Sequence, residues 1–101
     1  MRTIHYHDEA RLELVHEVSY YTAISRQLGE RFDLAIQDAA SRAAEFPDIG
    51  SPYFYGTRRV LAKKFRFSVI YLTSDDEIFI LAIAPFRRRP GYWGKRRMTG
   101  G

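Results

Sequence analysis

Two apolar rhythms divide the chain at Pro47, and this division restricts the fold more than any other feature of the sequence. Before it, Ala10, Leu14, Val18, Tyr21, Ile24 and Leu28 recur every three or four positions, as do Phe32, Ile36, Ala39, Ala43 and Phe46. That spacing lays one apolar stripe along each of two helices. After Pro47 the apolar residues come in dense runs, Phe67 to Leu72 (FSVIYL) and Ile78 to Ala84 (IFILAIA), rich in β-branched and aromatic side chains. Runs of this kind form strands, and their lack of clean alternation predicts central positions in a sheet.

Local signals place the boundaries. Thr3 to His7 (TIHYH) alternates and predicts a first strand. Asp8 is the expected N-cap of the first helix, with Glu9 and Glu13 complementing its dipole. Gly29 is expected to end that helix and Glu30 to begin the second, which Pro47 stops. The alanines of the second helix (Ala35, Ala39, Ala40, Ala43, Ala44) allow close approach to its neighbours. Pro47 to Thr57 (PDIGSPYFYGT) predicts a loop, Arg59 to Phe65 a strand, and Ser74-Asp75-Asp76 a hairpin turn. The order is β-α-α-β-β-β. It predicts an α+β fold: an N-terminal strand and an αα-hairpin, then a three-stranded antiparallel meander, with the helices packed on one face of a largely antiparallel sheet. One domain over residues 1–101 is expected, ending in a basic tail from about residue 85.

Composition removes several chemistries. The 101 residues include no cysteine, which excludes disulfides, thiol nucleophiles and cysteine-ligated zinc. With 46% hydrophobic residues and fifteen aromatics, stability rests on packing. The longest apolar run, Ile78 to Phe86, is strand-sized, and Met1 to His5 lacks a secretory core, so a cytoplasmic protein with no membrane association is expected. Neither GxGxxG nor GxxxxGK[ST] occurs. His5 and His7 share a strand face without an evident third ligand, His16 stands alone on a helix, and Asp75-Asp76-Glu77 falls where a hairpin must turn. No metal or cofactor is expected.

Charge gives the positive signal. The net +4 divides into −4 for residues 1–50, with five Arg and nine acids, and +8 for residues 51–101, with eleven bases and three acids. One cation cluster is Arg58-Arg59 with Lys63-Lys64-Arg66. Strand alternation would put Arg59, Leu61 and Lys63 on one face and Val60, Ala62 and Lys64 on the other. The second cluster is the segment Pro85 to Arg97, in which Arg87, Arg88, Arg89, Lys95, Arg96 and Arg97 interleave with Tyr92 and Trp93. Those two rings call for packing or stacking. If both clusters meet at one sheet end, they form a surface that attracts phosphates or an acidic protein segment.

With these motifs in view, the sequence resembles the RelE/ParE superfamily of type II toxins. The resemblance is carried by Tyr20-Tyr21, Leu28-Gly29, Phe32, Phe46-Pro47, Arg58-Arg59, Lys64 to Tyr71 (KFRFSVIY), Ala82-Ile83 and Arg89 to Trp93 (RPGYW), in that order from about residue 4 to 97. Arg-x-Pro-x-Tyr-Trp, Arg88 to Trp93, is the most specific piece. The resemblance implies a small α+β toxin silenced by a cognate antitoxin, usually an acidic, ParD-like protein whose C-terminal segment wraps it.

Two activities occur in the superfamily. ParE-like members inhibit DNA gyrase and are not nucleases; RelE-like members cut messenger RNA on the ribosome. In the nuclease reading Lys63 or Lys64, Arg87 or Arg88, and Tyr92 would serve as general base, general acid and phosphate-stabilising cations. Ser68, however, stands where RelE-type nucleases tend to carry Arg. Pro85 stands where many relatives have His, and no His follows His16. The Phe65-x-Phe67-x-Val69-x-Tyr71 strand and the Arg-x-Pro-x-Tyr-Trp tail resemble the ParE branch more closely. In that branch Arg58, Arg59, Lys63, Lys64, Arg87, Arg88, Arg89, Tyr92 and Trp93 are the expected contacts with gyrase or antitoxin, the aromatics as anchors and the charges setting orientation.

Overall fold

The computed structural model describes residues 1–96. The longest apolar run forms the longest strand, β5 (Glu77–Pro85), and it is central as expected. On one side β1 (Thr3–Tyr6) runs parallel to it, with Ile4 opposite Ile78 and Tyr6 opposite Ile80. On the other side β4 (Phe67–Thr73) runs antiparallel, joined through the Ser74–Asp76 turn that the Ser74 N–H closes on the Glu77 carbonyl at 2.9 Å. β3 (Arg58–Ala62) and the two-residue β2 (Ser51–Pro52) complete the order β1-β5-β4-β3-β2. The expected meander is therefore present, and the N-terminal strand joins it as a parallel edge.

The helices are α1 (Asp8–Ile24) and α2 (Arg26–Glu45), and they meet at a different residue from the one expected. Ser25 is the joint: its N–H caps α1 on the Tyr21 carbonyl at 3.0 Å, and its Oγ accepts the Leu28 N–H at 3.0 Å to start α2. Leu28 thus belongs to α2. Gly29 is a helical residue inside α2, where a Cβ would collide with Thr22 Oγ1 and stand 3.0 Å from Thr22 Cα. It serves close helix approach, not chain reversal. At the other end of α1 the cap is His7, whose Nδ1 accepts the Glu9 N–H at 3.0 Å, and the expected cap Asp8 is already helical.

Both helices pack on one face of the sheet. Ala10, Leu14, Phe32, Ile36, Ala39, Ala40 and Ala43 meet Val60, Phe67, Val69, Tyr71, Ile78, Ile80 and Ile83. Phe32 centres an aromatic cluster with Tyr21, Phe65 and Phe67, at ring separations of 5.0 to 5.2 Å. The opposite face is covered as well. Ile70, Leu81, Ala82 and Ala84 lie under Trp93 of the tail, with Tyr53 and Tyr92 packed alongside. Burial on both faces explains why β4 and β5 do not alternate.

β3 ends at Ala62, short of the strand expected through Phe65. Lys63–Phe65 forms a 3-10 turn, and Arg66 reverses the chain in the left-handed region with φ 58°. Alternation holds only to Ala62: Val60 and Ala62 are buried, while Lys63 and Lys64 are thrown into solvent by the turn. Among the described residues, no helix is long and apolar enough to cross a membrane.

Candidate functional site

β1 accompanies β5 only as far as Ile80, whose carbonyl accepts the His7 N–H at 2.8 Å. Past that point two side chains take the place of the missing strand. Glu13 of α1 accepts the Ile83 N–H on Oε1 at 3.0 Å, and Arg96 Nη1 donates to the Leu81 carbonyl at 2.7 Å. The two side chains pair through both Glu13 oxygens at 3.0 Å, and the Tyr92 hydroxyl donates to Oε2 at 2.7 Å. Leu81 is itself the extra residue of a bulge, since Ile70 faces Ala82 while Tyr71 faces Ile80.

This cluster fixes the tail on the sheet and sets its chemistry. The Tyr92 hydroxyl is held well above its usual pKa by burial, reinforced by its hydrogen bond to the Glu13 carboxylate. Burial alone would lower the Arg96 pKa, but the bond to Glu13 and its charge outweigh this and raise it. The Arg88 guanidinium lies 3.6 Å from the Tyr92 ring centroid. Trp93 is buried and stacked on Tyr53 at 5.4 Å, with Arg59 4.2 Å from the Tyr53 ring on the neighbouring strand.

The nine residues singled out in the sequence fall into three groups. Arg58, Arg59, Tyr92 and Trp93 are engaged within the fold. Arg58 donates to the Gly50 carbonyl at 2.7 Å and pairs with Asp48 at 3.7 Å, holding the loop after α2. Lys63 and Lys64 are exposed and line a cavity of about 370 Å³ with Asp38, Arg42 and Leu61. Arg87, Arg88 and Arg89 are exposed beyond β5. Arg87 and Arg88 border a cavity of about 560 Å³ against Glu9, Leu12, Glu13, His16 and Glu17 of α1.

The two cation clusters converge only in part, through Arg66 of the first and Arg87 of the second. Phe67 pairs with Pro85, the Phe86 N–H donates to the Arg66 carbonyl at 2.8 Å, and Arg66 and Arg87 share a groove with Tyr21 and Phe86. Arg58 and Arg59 stand apart from that groove, paired with Tyr71 and Ile70 further along β4. Arg97, counted with the tail cations, lies outside the described residues.

Two participants carry no mark in the sequence. Glu13 reads there only as a carboxylate near a helix start, and Arg96 as one cation among several. The imidazoles have ordinary roles: His7 caps α1, and His5 Nε2 lies 2.9 Å from Glu77. No group of three metal-ligating side chains occurs among the described residues.

A strand, a helical hairpin and a strand meander with this register can be compared with known proteins. A sequence model of the ParE toxin of the type II toxin-antitoxin system parDE matches residues 4–90. The chain belongs to this family. It is the toxin component of a type II toxin-antitoxin system, and membership implies an antitoxin partner. Toxin ParE2 of Mycobacterium tuberculosis, in the CDC 1551 / Oshkosh and H37Rv strains alike, is 29% identical over 83 residues, covering 81% of this toxin and 79% of the relative. A solved structure described as the chromosomal ParDE TA system from P. aeruginosa shares the fold at a TM-score of 0.61 and 21% identity, over 84% of this toxin and 96% of that chain.

Proposed function

We propose that this toxin, a single domain acting in the cytoplasm, inhibits DNA gyrase by docking to it as a protein and stalling it on DNA. A cognate acidic, ParD-like antitoxin silences it by covering the basic end of the sheet. The observation that carries this reading is the state of Tyr92. Its hydroxyl is committed as a donor to Glu13 at 2.7 Å, and its pKa is raised, so it is poorly placed to take a proton from a ribose 2′-hydroxyl. The remaining nuclease candidates are dispersed: Lys63 and Lys64 line one cavity and Arg87 and Arg88 another.

Electrostatics supports capture by an acidic partner. The half of the chain after residue 50 carries +8, and Lys63, Lys64, Arg87 and Arg89 are exposed, where their charges accelerate encounter. The outer side of α1 adds exposed Leu12, Val15, Tyr20 and Ile24, apolar surface able to hold a partner once it has arrived.

The test is to add purified toxin to gyrase and to a translating extract in parallel. Gyrase inhibition with trapped cleaved DNA, reversed by the antitoxin, is expected. Codon-phased cuts in ribosome-bound messages with gyrase unaffected would replace this reading with the RelE-like endoribonuclease.

A further inference from the structure

The segment between β2 and β3 carries the most exposed aromatic residue of the described chain, Tyr55, next to a second exposed ring, Phe54, and neighbouring contacts hold it in place. Phe54 is 53% exposed and Tyr55 71%. Tyr55 adopts the left-handed region with φ 63° and ψ 34°, a conformation an aromatic residue takes only when its surroundings impose it. The constraints are visible. The Thr57 hydroxyl donates to the Phe54 carbonyl at 2.7 Å, and the Tyr53 N–H donates to the Thr57 carbonyl at 2.7 Å. Tyr53 stacks on Trp93, and the Arg59 guanidinium lies 4.2 Å from its ring centroid.

The tail leaves room for the Tyr55 ring by having no side chain beneath it. A Cβ on Gly91 or Gly94 would stand 3.1 or 3.0 Å from Tyr55 Cε2. The flanking tail residues Arg89 and Lys95 are exposed. Pro52, Tyr53 and Phe54 line a further hollow of about 350 Å³. Two presented rings beside a hollow, fixed before binding and resting on a tail whose two glycines are followed and preceded in sequence by exposed cations, have the anatomy of an interface hot spot.

We propose that Phe54 and Tyr55 form the anchor by which this toxin docks to its target, a folded protein offering an apolar recess with an acidic rim. Charge complementarity with Arg89 and Lys95 selects that rim. The proposal rests on the gyrase reading, and it assigns the target contact to a segment away from the Lys63–Arg66 and Arg87 end of the sheet. Single-stranded nucleic acid, which also takes stacked aromatics between cations, is the competing occupant.

The variants are Phe54→Ala, Tyr55→Gly, which keeps the left-handed backbone, and Arg89→Glu. Each is purified with the antitoxin and checked by thermal melting. Binding to gyrase at least tenfold weaker for Phe54→Ala and Tyr55→Gly, and slower association for Arg89→Glu, with melting and antitoxin binding kept, supports the proposal. Gyrase binding unchanged in the ring variants overturns it and leaves the gyrase reading standing. If the natural chain does not bind gyrase at all, that reading fails alone. Growth inhibition lost in the ring variants then supports docking to another protein, and growth inhibition retained overturns it. Loss of antitoxin binding in the ring variants overturns the proposal in favour of an antitoxin surface. Ring-dependent binding of a labelled single-stranded oligonucleotide overturns it in favour of nucleic acid.

Discussion

Glu13 and Arg96, 83 positions apart, face each other in two parallel N–H···O bonds of 3.0 Å, and together they satisfy the edge of β5 that β1 leaves open. Their side chains retain 18% and 14% exposure, so the pair is largely withdrawn from water. Glu13→Ala strands the Arg96 charge, the Tyr92 hydroxyl and the Ile83 N–H together, and is expected to cost about 3 to 5 kcal/mol. Glu13→Gln keeps the shape but not the charge and costs less. Glu13→Ala with Arg96→Ala recovers part of the loss, so a double-mutant cycle by urea melting gives a coupling energy above about 1 kcal/mol. Additive single effects would show that the pair does not act as a unit.

Gly29 yields a prediction opposite to helix propensity. In a free helix Gly→Ala stabilises by up to about 1 kcal/mol. Here the added methyl meets Thr22, including its backbone, so Gly29→Ala is expected to destabilise by about 1 to 3 kcal/mol. Thr22→Ala relieves it only in part, because Thr22 Cα and Cβ each lie 3.0 Å from the new methyl. Thermal melting of the single and double variants decides the sign.

Trp93 makes the tail part of the core. Burying a ring of this size is worth about 5 kcal/mol at most, from roughly 200 Å² at about 25 cal/mol/Å². Trp93→Ala is expected to cost about 3 to 5 kcal/mol and to unseat Tyr53, while Trp93→Phe keeps the stacking and costs less. Deleting residues 90–101 therefore strips the outer face of the sheet as well as the tail, and loss of toxicity after deletion reads as lost stability. Melting temperatures of the two point variants, compared with their growth inhibition, separate the two effects.

What the sequence made legible followed from rules that act locally. The stripes from Ala10 and from Phe32 placed both helices, and the density of Ile78 to Ala84 placed a central strand, because periodicity and burial are set by neighbouring residues. Gly29 misled because glycine serves two ends, left-handed caps and close packing, and only the partner Thr22 separates them. Ser25, the true joint, sits in a stretch without Pro or Gly. Trp93 called for a partner, but that partner, Tyr53, comes from the loop after β2, far away in the sequence. Glu13 was opaque for the same reason: its partners are Ile83 of β5 and Tyr92 and Arg96 of the tail, and no local pattern connects them.

Tyrosine ionisation supplies the last prediction. Tyr6, Tyr21, Tyr71 and Tyr92 all have pKa values raised above 10.0, with burial the largest cause in each. For a group whose folded pKa lies above its unfolded one, the contribution to stability is complete below the unfolded value and is lost as pH rises towards the folded value. The unfolded chain ionises near pH 10 while the folded chain resists, so stability falls with rising pH from about pH 9.5 upward. Tyr92→Phe removes the hydrogen bond to Glu13 and costs about 1.5 to 3 kcal/mol near neutrality. It also removes one ionisable group, so the gap between natural chain and variant narrows above about pH 10. Urea melts at a series of alkaline pH values, with phenolate absorbance followed alongside, test this; parallel stability curves for the two chains would mean that Tyr92 titrates as freely folded as unfolded.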